Sequence, residues 1–333
     1  MRKNKVRPVA LALAGALLVG LLSPCVALAA DSSTITIQSA DDFVRFTQNC
    51  AFDMWSQGKT ILLKNDIDLS QAEWSPIPTF GGTFDGGGHA ITGLSLSGGA
   101  SYQGLFRFVQ ESGVIKNLHV EGSISAIEEQ EYLGGIAGCN EGTIMDCSFF
   151  GTVSGKSAVG GIVGINEADG SIYHCMTAGA VTGARQTGGI AGKNYGIITG
   201  CTNRSSVNRE HPEETRDLED GLFSLTRDMV SEATMDTGGI AGTSSGILQN
   251  CQNEGTIGYP HVGYNVGGIA GRSSGYLDSC SNRGEIQGRK DIGGIAGQLA
   301  PNVRLIFSSD SIDELQKELD RLGDLVDSTL GLV

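Results

Sequence analysis

The feature that most constrains the fold is a pentapeptide, Gly-Gly-Ile-x-Gly, that occurs six times. The copies begin at Gly134, Gly160, Gly188, Gly238, Gly267 and Gly293. Their spacings are 26, 28, 50, 29 and 26 residues, and the 50-residue step is a normal step with about two dozen residues inserted. A unit of this size cannot bury its own apolar residues, whereas stacked copies can bury them against one another. The chain is therefore predicted to be a stack of similar turns.

A longer pattern follows each of the first five pentapeptides. A glycine comes first, then an Ile or Leu two residues later, and then a cysteine three residues further on. The cysteines at this position are Cys147, Cys175, Cys201, Cys251 and Cys280. An earlier, degenerate copy has Leu118 in the cysteine position. The apolar runs are too short for helices, and their Ile and Val residues favour strands.

These observations predict an all-β fold, a parallel β-helix with about 26 residues per turn. Six or seven turns would stack about 4.8 Å apart into a rod roughly 30 Å long. Glycines at fixed corners would permit positive φ angles and a close approach of neighbouring turns. A β-propeller is the alternative architecture, but its blades need about 40 residues or more. The signature of leucine-rich repeats does not occur.

Two blocks of the repeat, Val159–Asn166 and Gly238–Cys251, resemble the GLUG motif. That motif is found in bacterial surface and adhesin-like proteins and in streptococcal immunoglobulin A1 metallopeptidases. The segments Lys64–Leu69, Trp74–Pro78 and Gly82–Ile91 resemble the opening of the same class of proteins. The resemblance covers roughly residues 35–300. It implies a right-handed parallel β-helix and a surface role, and it says almost nothing about activity.

The N-terminus has the pattern of a secretory signal peptide, residues 1–29. Four basic residues precede a 14-residue apolar run at 9–22, and Ala27-Leu28-Ala29 is a cleavage signal. The run is short of the roughly 20 residues that span a bilayer, so a membrane anchor is disfavoured. Cleavage after Ala29 would give a secreted or cell-surface protein with no later membrane span. A lipoprotein processed at Cys25 is an alternative.

The remaining chain divides into three parts. Residues 30–98 are interpreted as an N-terminal cap with the first turns, and residues 99–300 as GLUG-like repeats. The third part, residues 301–333, is a helical segment. Residues 39–56 are predicted to form a capping helix that starts at Ser39 and turns Phe43, Phe46, Cys50 and Met54 towards the β-helix.

Two further segments have helical patterns. The insertion at about 208–236 is charged and places Leu218, Leu222, Leu225 and Met229 at helical spacing. In the C-terminal segment, Ser311 and Glu314 suit a capping box. Apolar residues then recur every three or four positions, at Ile312, Leu315, Leu319, Leu322, Val326 and Leu330. This helix could close the C-terminal end of the rod, begin a longer stalk, or mediate self-association.

The five repeated cysteines are interpreted as a ladder of buried thiols. Disulfides are an alternative, but parallel Cβ vectors suit them poorly. A metal site is the least favoured interpretation, and no cofactor is expected. The chain carries 23 Lys and Arg against 37 Asp and Glu, a net charge of −14. That balance argues against binding of nucleic acid, whose affinity for proteins comes mainly from basic side chains.

The sequence contains no assembled catalytic motif. His-Glu-x-x-His, which zinc peptidases need, does not occur, so the resemblance to the peptidases is confined to their repeats. If the chain were a carbohydrate-active enzyme, a lyase or hydrolase, Asp66, Asp68 and Asp85 would be its candidate carboxylates. The favoured hypothesis is a non-enzymatic surface or secreted protein that binds a glycan or a host surface or matrix protein, or acts as a rigid spacer. A structural part of a larger surface assembly is the other alternative.

Overall fold

Each turn of the chain contributes strands to three parallel sheets, which together enclose an apolar interior. The computed structural model describes residues 34–98, 100–126, 129–209 and 234–301. In chain order the first elements are β1 (Thr34–Ile37), α1 (Ala40–Asn49), β2 (Thr60–Leu63), β3 (Ile67–Asp68), β4 (Ile77–Phe80), β5 (Thr83–Asp85), β6 (Ala90–Ser97), β7 (Phe106–Val109), β8 (Val114–Lys116) and β9 (His119–Ser125).

The later turns supply the remaining strands. The next elements are β10 (Glu131–Gly134), β11 (Ala137–Asn140), β12 (Thr143–Met145), β13 (Ser148–Gly160), β14 (Val163–Asn166), β15 (Ser171–Tyr173), β16 (Met176–Gly188), β17 (Ala191–Asn194), β18 (Ile197–Thr199), β19 (Thr202–Asn203) and β20 (Ser206–Val207). The last are β21 (Met235–Gly238), β22 (Ala241–Ser244), β23 (Ile247–Gln249), β24 (Gln252–Asn253), β25 (Tyr264–Gly267), β26 (Ala270–Ser273), β27 (Tyr276–Asp278), β28 (Ser281–Asn282), β29 (Lys290–Gly293) and β30 (Ala296–Leu299).

The strands stack in chain order within each sheet. Sheet A runs β1-β2-β5-β8-β12-β15-β18-β23-β27, and sheet C runs β4-β7-β11-β14-β17-β22-β26-β30. Sheet B has 13 strands, with the path β3-β6-β9-β13-β16-β19-β24-β28 and five further strands, β10, β20, β21, β25 and β29. The nine strands of sheet A correspond to about nine turns, so the all-β parallel solenoid predicted from the repeat is confirmed.

Within each sheet, a residue of one turn pairs with the residue at the equivalent repeat position of the adjacent turns. Ile144 pairs with Ile115 on one side and with Ile172 on the other. Turn length is less regular than the predicted value of about 26. Thr60 pairs with Thr83, 23 residues later, and Thr83 pairs with Val114, 31 residues later. The predicted six or seven turns were too few, because the first turns lack the pentapeptide and were not counted.

The helix α1 packs on the first strands of sheets A and C, β1 and β4. Ser39 caps it by accepting a hydrogen bond from the Asp42 amide at 3.2 Å. Phe43 and Phe46 are buried, and Phe46 lies 5.8 Å from Phe84 between ring centroids. The predicted extent to residue 56 was wrong, since α1 ends at Asn49. Met54 therefore lies beyond the helix, and it is 73% exposed.

The corner glycines serve close approach between turns. A Cβ on Gly142 would lie 2.3 Å from the Gly113 carbonyl oxygen, so no larger residue fits. Positive φ angles occur at the repeat glycines Gly151 (149°) and Gly179 (124°), and also one residue before the cysteine position, at Asn117 (52°), Asp146 (51°) and Asn250 (52°). Of the two roles predicted for corner glycines, Gly142 therefore serves the close approach of neighbouring turns.

Three predicted segments lie outside the described residues: the signal peptide at 1–29, the helical pattern of the insertion within 210–233, and the C-terminal helix at 311–330. Within the described ranges, α1 is the one α-helix.

Candidate binding face on sheet C

The outer surface of sheet C carries three parallel columns of side chains, one residue of each column per turn; we call it the sheet C face. The central column follows the outward position of the sheet C strands and contains Phe108, Cys139, Ile165, Lys193, Thr243 and Arg272. One flanking column precedes the repeated Gly-Gly pairs and contains Tyr102, Tyr132, Ala158, Gln186, Asp236 and Asn265. The other flanking column, at the corner towards sheet A, contains Glu141, Glu167, Tyr195, Ser245 and Ser274.

The column that begins with Tyr102 is held against sheet C by glycine. A Cβ on Gly138 would lie 2.5 Å from the Tyr102 carbonyl carbon, and one on Gly164 would lie 2.3 Å from that of Tyr132. Every member of this column has a positive φ angle, from 53° at Gln186 to 63° at Tyr102 and Tyr132. The left-handed conformation turns the chain, so that these residues overlie the sheet C strand of the next turn.

The N-terminal end of the sheet C face is aromatic. The rings of Tyr102 and Tyr132 stack at 4.5 Å between centroids with an interplanar angle of 7°. The Phe108 ring lies 4.9 Å from the Tyr102 ring. The Lys193 Nζ lies 5.1 Å from the centroid of Tyr132, and Arg107 lies over Phe108 at 5.7 Å. Burial, followed by the neighbouring Tyr132, raises the pKa of the Tyr102 phenol.

Acidic and thiol groups lie beside this aromatic end. Burial and then the charge of Glu141 raise the pKa of Glu167, and the Lys193 ammonium opposes that shift. Burial, with smaller effects of the same two carboxylates, raises the pKa of Cys139 to about 12. The Cys139 thiol is therefore protonated at neutral pH and is a poor nucleophile.

The C-terminal end of the sheet C face is polar and contains a cavity of about 300 Å³. Arg272 forms an ion pair with Asp236, with 2.8 Å between Nη2 and Oδ2. The Asn265 side-chain amide donates to the other Asp236 oxygen at 2.7 Å. Arg272 is thereby fixed at the cavity. The cavity is lined by Gln186, Tyr195, Thr243, Ser244, Ser245, Arg272, Ser274 and Ala300.

The three candidate carboxylates lie away from sheet C and bind local groups. Asp66 accepts hydrogen bonds from the Ala90 amide at 2.9 Å and from His89, and both lower its pKa. Asp68 accepts from the Ser70 amide at 2.9 Å, which lowers its pKa.

The environment of Asp85 likewise favours the ionised carboxylate. Burial raises its pKa, but hydrogen bonds from Asn117, from the Gly87 amide and from Lys116 outweigh that effect, and the net shift is downward. The general acid of a glycosidase needs a raised pKa. The three carboxylates are therefore better suited to structural roles than to the role of general acid.

The five repeated cysteines stack in a column inside the rod. Cys147, Cys175, Cys201 and Cys251 are buried, Cys280 in the last turn is half-buried, and all five are free thiols. Each Sγ donates to the carbonyl two residues earlier, at 3.1 Å for Cys147 and 3.5 Å for Cys201. Burial raises the pKa of the Cys175 thiol. The described ranges contain no group of three or more His, Cys, Asp or Glu side chains suited to a metal ion.

Sequence reasoning missed a Ser-His-Glu arrangement on the outside of sheet B. His119 Nδ1 lies 2.7 Å from Ser148 Oγ, and its Nε2 lies 2.8 Å from Glu121 Oε1. Acyl transfer also needs free amides to stabilise an oxyanion. The Ser148 amide is occupied, because it donates to the Leu118 carbonyl at 2.9 Å. Only the register, which places residues 119 and 148 side by side, could have revealed this group.

Sequence and structure comparisons agree with the repeat architecture. The GLUG motif matches residues 129–154 and 155–182. Halomucin from Haloquadratum walsbyi is 35% identical over 89 residues, which are 26% of this chain and about 1% of the length of halomucin. A candidate immunoglobulin A1 protease from Bacteroides ovatus has a similar crystal structure, with a TM-score of 0.59 and 20% identity. That likeness covers 81% of this chain and 85% of the other, and it shows the fold alone.

Among the described residues, no helix has the length and apolar character needed to cross a bilayer. Together, the stacked turns and the structural likeness show a parallel β-solenoid, and its turns at residues 129–182 match the GLUG motif.

Proposed function

We propose that the chain is exported, with cleavage after Ala29, and acts as a non-enzymatic β-solenoid at the bacterial surface or outside the cell. In this proposal it is a right-handed β-helix whose sheet C face binds an extended ligand. A glycan chain is the favoured ligand, and a host surface or matrix protein is the alternative partner. The observation that carries the proposal is the pair of stacked tyrosines, Tyr102 and Tyr132, in a strained backbone conformation.

Ala158 and Gln186 share the positive φ angle of this column, at 54° and 53°. Tyr102 and Tyr132 are its bulky aromatic members. Both have φ angles of 63°, in the left-handed region that bulky side chains avoid at a cost of about 1–2 kcal/mol each. At the same position in later turns the chain uses Asp236, Asn265 and Asp291, with φ angles of 56–58°. Asn and Asp adopt this conformation readily. Backbone strain of this kind is concentrated at functional sites, so a need for the aromatic rings explains why tyrosine occupies the position.

The chemistry of the face suits a polysaccharide. Aromatic rings offer large, rigid apolar surfaces, and the tyrosine hydroxyl groups can hydrogen-bond at the same time. The polar end supplies the hydroxyl groups of Thr243, Ser245 and Ser274 and the guanidinium of Arg272 around a cavity. A few polar groups at fixed positions in a concave site are typical of ligand recognition. Turns spaced by about 4.8 Å present these groups at a regular interval along the rod.

Export is supported by the signal-peptide pattern of residues 1–29 and by the resemblance to bacterial surface proteins. The halomucin match covers too little of halomucin to add a function, and the likeness to the candidate protease concerns the fold. The ligand class therefore depends on the residues of the sheet C face alone.

The test is binding of the purified chain from Ala30 to an array of glycans, mucins and matrix proteins. The key variant replaces Tyr102 and Tyr132 together by Asn. Loss of the ring stack costs about 0.5–1.5 kcal/mol, but relief of backbone strain offsets it, so the variant should stay folded.

Selective, saturable binding to one glycan class, weakened at least tenfold in the double variant, would support the proposal. The control is Ser279→Asn, which makes the same kind of change at a positive φ angle (51°) away from the sheet C face. Equal binding by the double variant and the control, or no binding at micromolar concentrations, would contradict it.

A second candidate function is that of a rigid spacer or a structural part of a larger surface assembly. The continuous parallel register from β1 to β27 favours it, because a stack of paired strands resists bending. This function requires no ligand on the sheet C face. Sedimentation velocity over a range of concentrations would support an assembly role if the chain forms oligomers, and a strict monomer would count against self-assembly.

A carbohydrate-active enzyme is the less favoured alternative, because the pKa values of Asp66, Asp68 and Asp85 are all lowered. Incubation with polysaccharides would reveal it by new reducing ends or unsaturated products. Loss of that activity on Asp→Asn substitution at these positions would establish the enzyme and overturn the non-enzymatic proposal.

A further inference from the structure

The last turn of the solenoid exposes residues that every earlier turn buries. Ile269 is fully buried, whereas its successor Ile295 is 39% exposed. Val266 is 1% exposed, and its partner Ile292 is 48% exposed. Leu299 is 70% exposed and pairs with Ser273, which is 1% exposed.

The remaining interior positions of the last turn follow the same trend. Leu277, Cys280 and Ile286 are only partly buried, although their equivalents one turn earlier are 0–1% exposed. We call the combined apolar surface the C-terminal end face; its residues are Leu277, Cys280, Ile286, Ile292, Ile295 and Leu299.

The opposite end of the rod is closed. There α1 packs on β1 and β4, and Phe43 and Phe46 are 0% and 2% exposed. The interior of the first turn is thus covered by a helix from the same chain. The two ends have equivalent interiors, so the same physical need exists at both: apolar surface and strand edges must be shielded from water and from other chains.

We propose that residues 311–330 of the same chain cover the C-terminal end face as a docked helix. The sequence places Ile312, Leu315, Leu319, Leu322 and Val326 on one side of this predicted helix. A 20-residue helix would be about 30 Å long. About ten residues separate β30 from Ser311, and an extended linker of that length reaches about 33 Å. The helix can therefore lie across the end of the rod.

Segment 311–330 of the same chain is favoured over a second copy of the protein as the occupant of the C-terminal end face. A segment joined by a short linker has an effective concentration in the millimolar range. A second copy of the rod would need to reach that concentration to compete. The surface and the segment also match chemically, since the C-terminal end face is apolar and the sequence of 311–330 repeats Ile and Leu at helical spacing.

The first experiment uses Cys280 as a probe of the end face, because it is the half-buried member of the thiol ladder. The reaction rate of Cys280 with a maleimide is measured by peptide mass spectrometry in the full chain. The test variant is Leu315→Ser with Leu319→Ser, and the control is Gln316→Ser with Asp320→Ser, which has the same spacing on another side of the predicted helix.

The proposal predicts at least a tenfold faster reaction of Cys280 in the test variant and no change in the control. Cys139, on the sheet C face, is the internal reference and should react equally in all chains. Equal Cys280 rates in both variants would overturn the proposal. Protection of Cys280 that increases with protein concentration would also overturn it, because a second copy would then be the occupant.

The second experiment changes the other partner and avoids any risk to folding. Leu299→Ser alters a residue that is 70% exposed, and Gln298→Ser is its exposed neighbour and control. Hydrogen exchange of the amides in residues 311–330 should be at least threefold faster in Leu299→Ser than in Gln298→Ser. Identical exchange in the two variants would show that the segment does not contact the end face.

Discussion

At the residue scale, glycine is required chiefly where one turn touches the next. A Cβ on Gly268 would lie 2.2 Å from the Gly294 carbonyl oxygen, whereas a Cβ on Gly294 itself would meet nothing within 4 Å. The two glycines are equivalent positions in consecutive turns. Gly268→Ala should therefore lower the free energy of unfolding by about 1–3 kcal/mol, and Gly294→Ala should leave it nearly unchanged. Urea denaturation of both variants tests this, and equal losses would contradict the stacking described here.

The left-handed positions give a prediction of the opposite sign. Ser279 has a φ angle of 51° and occupies the place of Asn250, which has a φ angle of 52° one turn earlier. Because Asn adopts this conformation more readily than Ser, Ser279→Asn should raise the free energy of unfolding by up to about 1 kcal/mol. Ser281→Asn, in the exposed strand β28, is the control and should give no gain. A loss of stability in Ser279→Asn, measured by thermal unfolding, would be the contrary result.

These residues also show what the sequence could reveal. The positions of glycine and cysteine identified the repeat, because residues that stack on their own equivalents must recur at each turn. The left-handed positions were not recognised, since Asn117, Asp146, His174 and Ser279 share a backbone conformation and no side-chain type. Tyr102 and Tyr132 were missed for the same reason.

At the element scale, polar ladders replace part of the apolar interior in the C-terminal half. The column that contains Phe149 continues as Thr177, Asn203 and Asn253. The fully buried Asn203 accepts from Thr177 Oγ1 at 2.9 Å and donates to Asn253 Oδ1 at 2.7 Å. Side-chain hydrogen bonds, as well as apolar packing, therefore hold the strands of this column together.

Removing one member of this ladder leaves buried polar groups unpaired, at about 1–3 kcal/mol for each. Asn203→Ala should therefore lower the free energy of unfolding by at least about 2 kcal/mol. Thr202→Ala, at the neighbouring outward-facing position of β19, should cost much less. Chemical denaturation measures both variants, and similar losses would show that the ladder is energetically unimportant.

The N-terminal helix gives a prediction about pH. The Gln38 amide and the Arg45 side chain hold the pKa of Asp42 below its ordinary value of 3.8. The lowered pKa means that ionised Asp42 stabilises the fold above that value, and this contribution is lost as the pH falls through the folded-state pKa.

Asp42→Asn should therefore weaken the decline in stability below about pH 4 relative to the unmodified chain. Asp41→Asn, in the same turn of α1, is the control. Identical acid profiles for the Asp42→Asn variant and the unmodified chain would exclude the predicted role of this carboxylate. The measurement is the urea midpoint at several pH values from 2.5 to 6.

The sequence pattern predicted the helix α1 and the first turns only in part. Ser39 and the apolar spacing located the start of α1, but the pattern continued to Met54 past the true end at Asn49. The turns that contain β1, β2 and β5 were undercounted, because their interiors use large residues such as Phe84 in place of the glycine-rich pentapeptide. In the first turns large side chains fill the interior, whereas in the later turns glycines allow the neighbouring backbones to approach closely.

At the scale of the whole molecule, the repeat specified the inside of the rod and left the outside free to vary. Inward positions recur because each must fit its neighbours in the adjacent turns. The outward column of sheet C changes from Phe108 through Lys193 to Arg272, so no period in the sequence marks it. A parallel solenoid could thus be predicted, while the sheet C face required the register. The right-handed sense of the winding stays a prediction.

The most direct test of the account is the dependence of affinity on ligand length. The column from Phe108 to Arg272 spans five steps between strands, about 24 Å. With oligosaccharides of the glycan class found on the array, calorimetry should show the dissociation constant falling as length increases to about 24 Å and then levelling off. The Tyr102→Asn, Tyr132→Asn chain should lose this dependence. Affinity that is independent of length, or a length dependence that survives in the double variant, would contradict binding along the sheet C face.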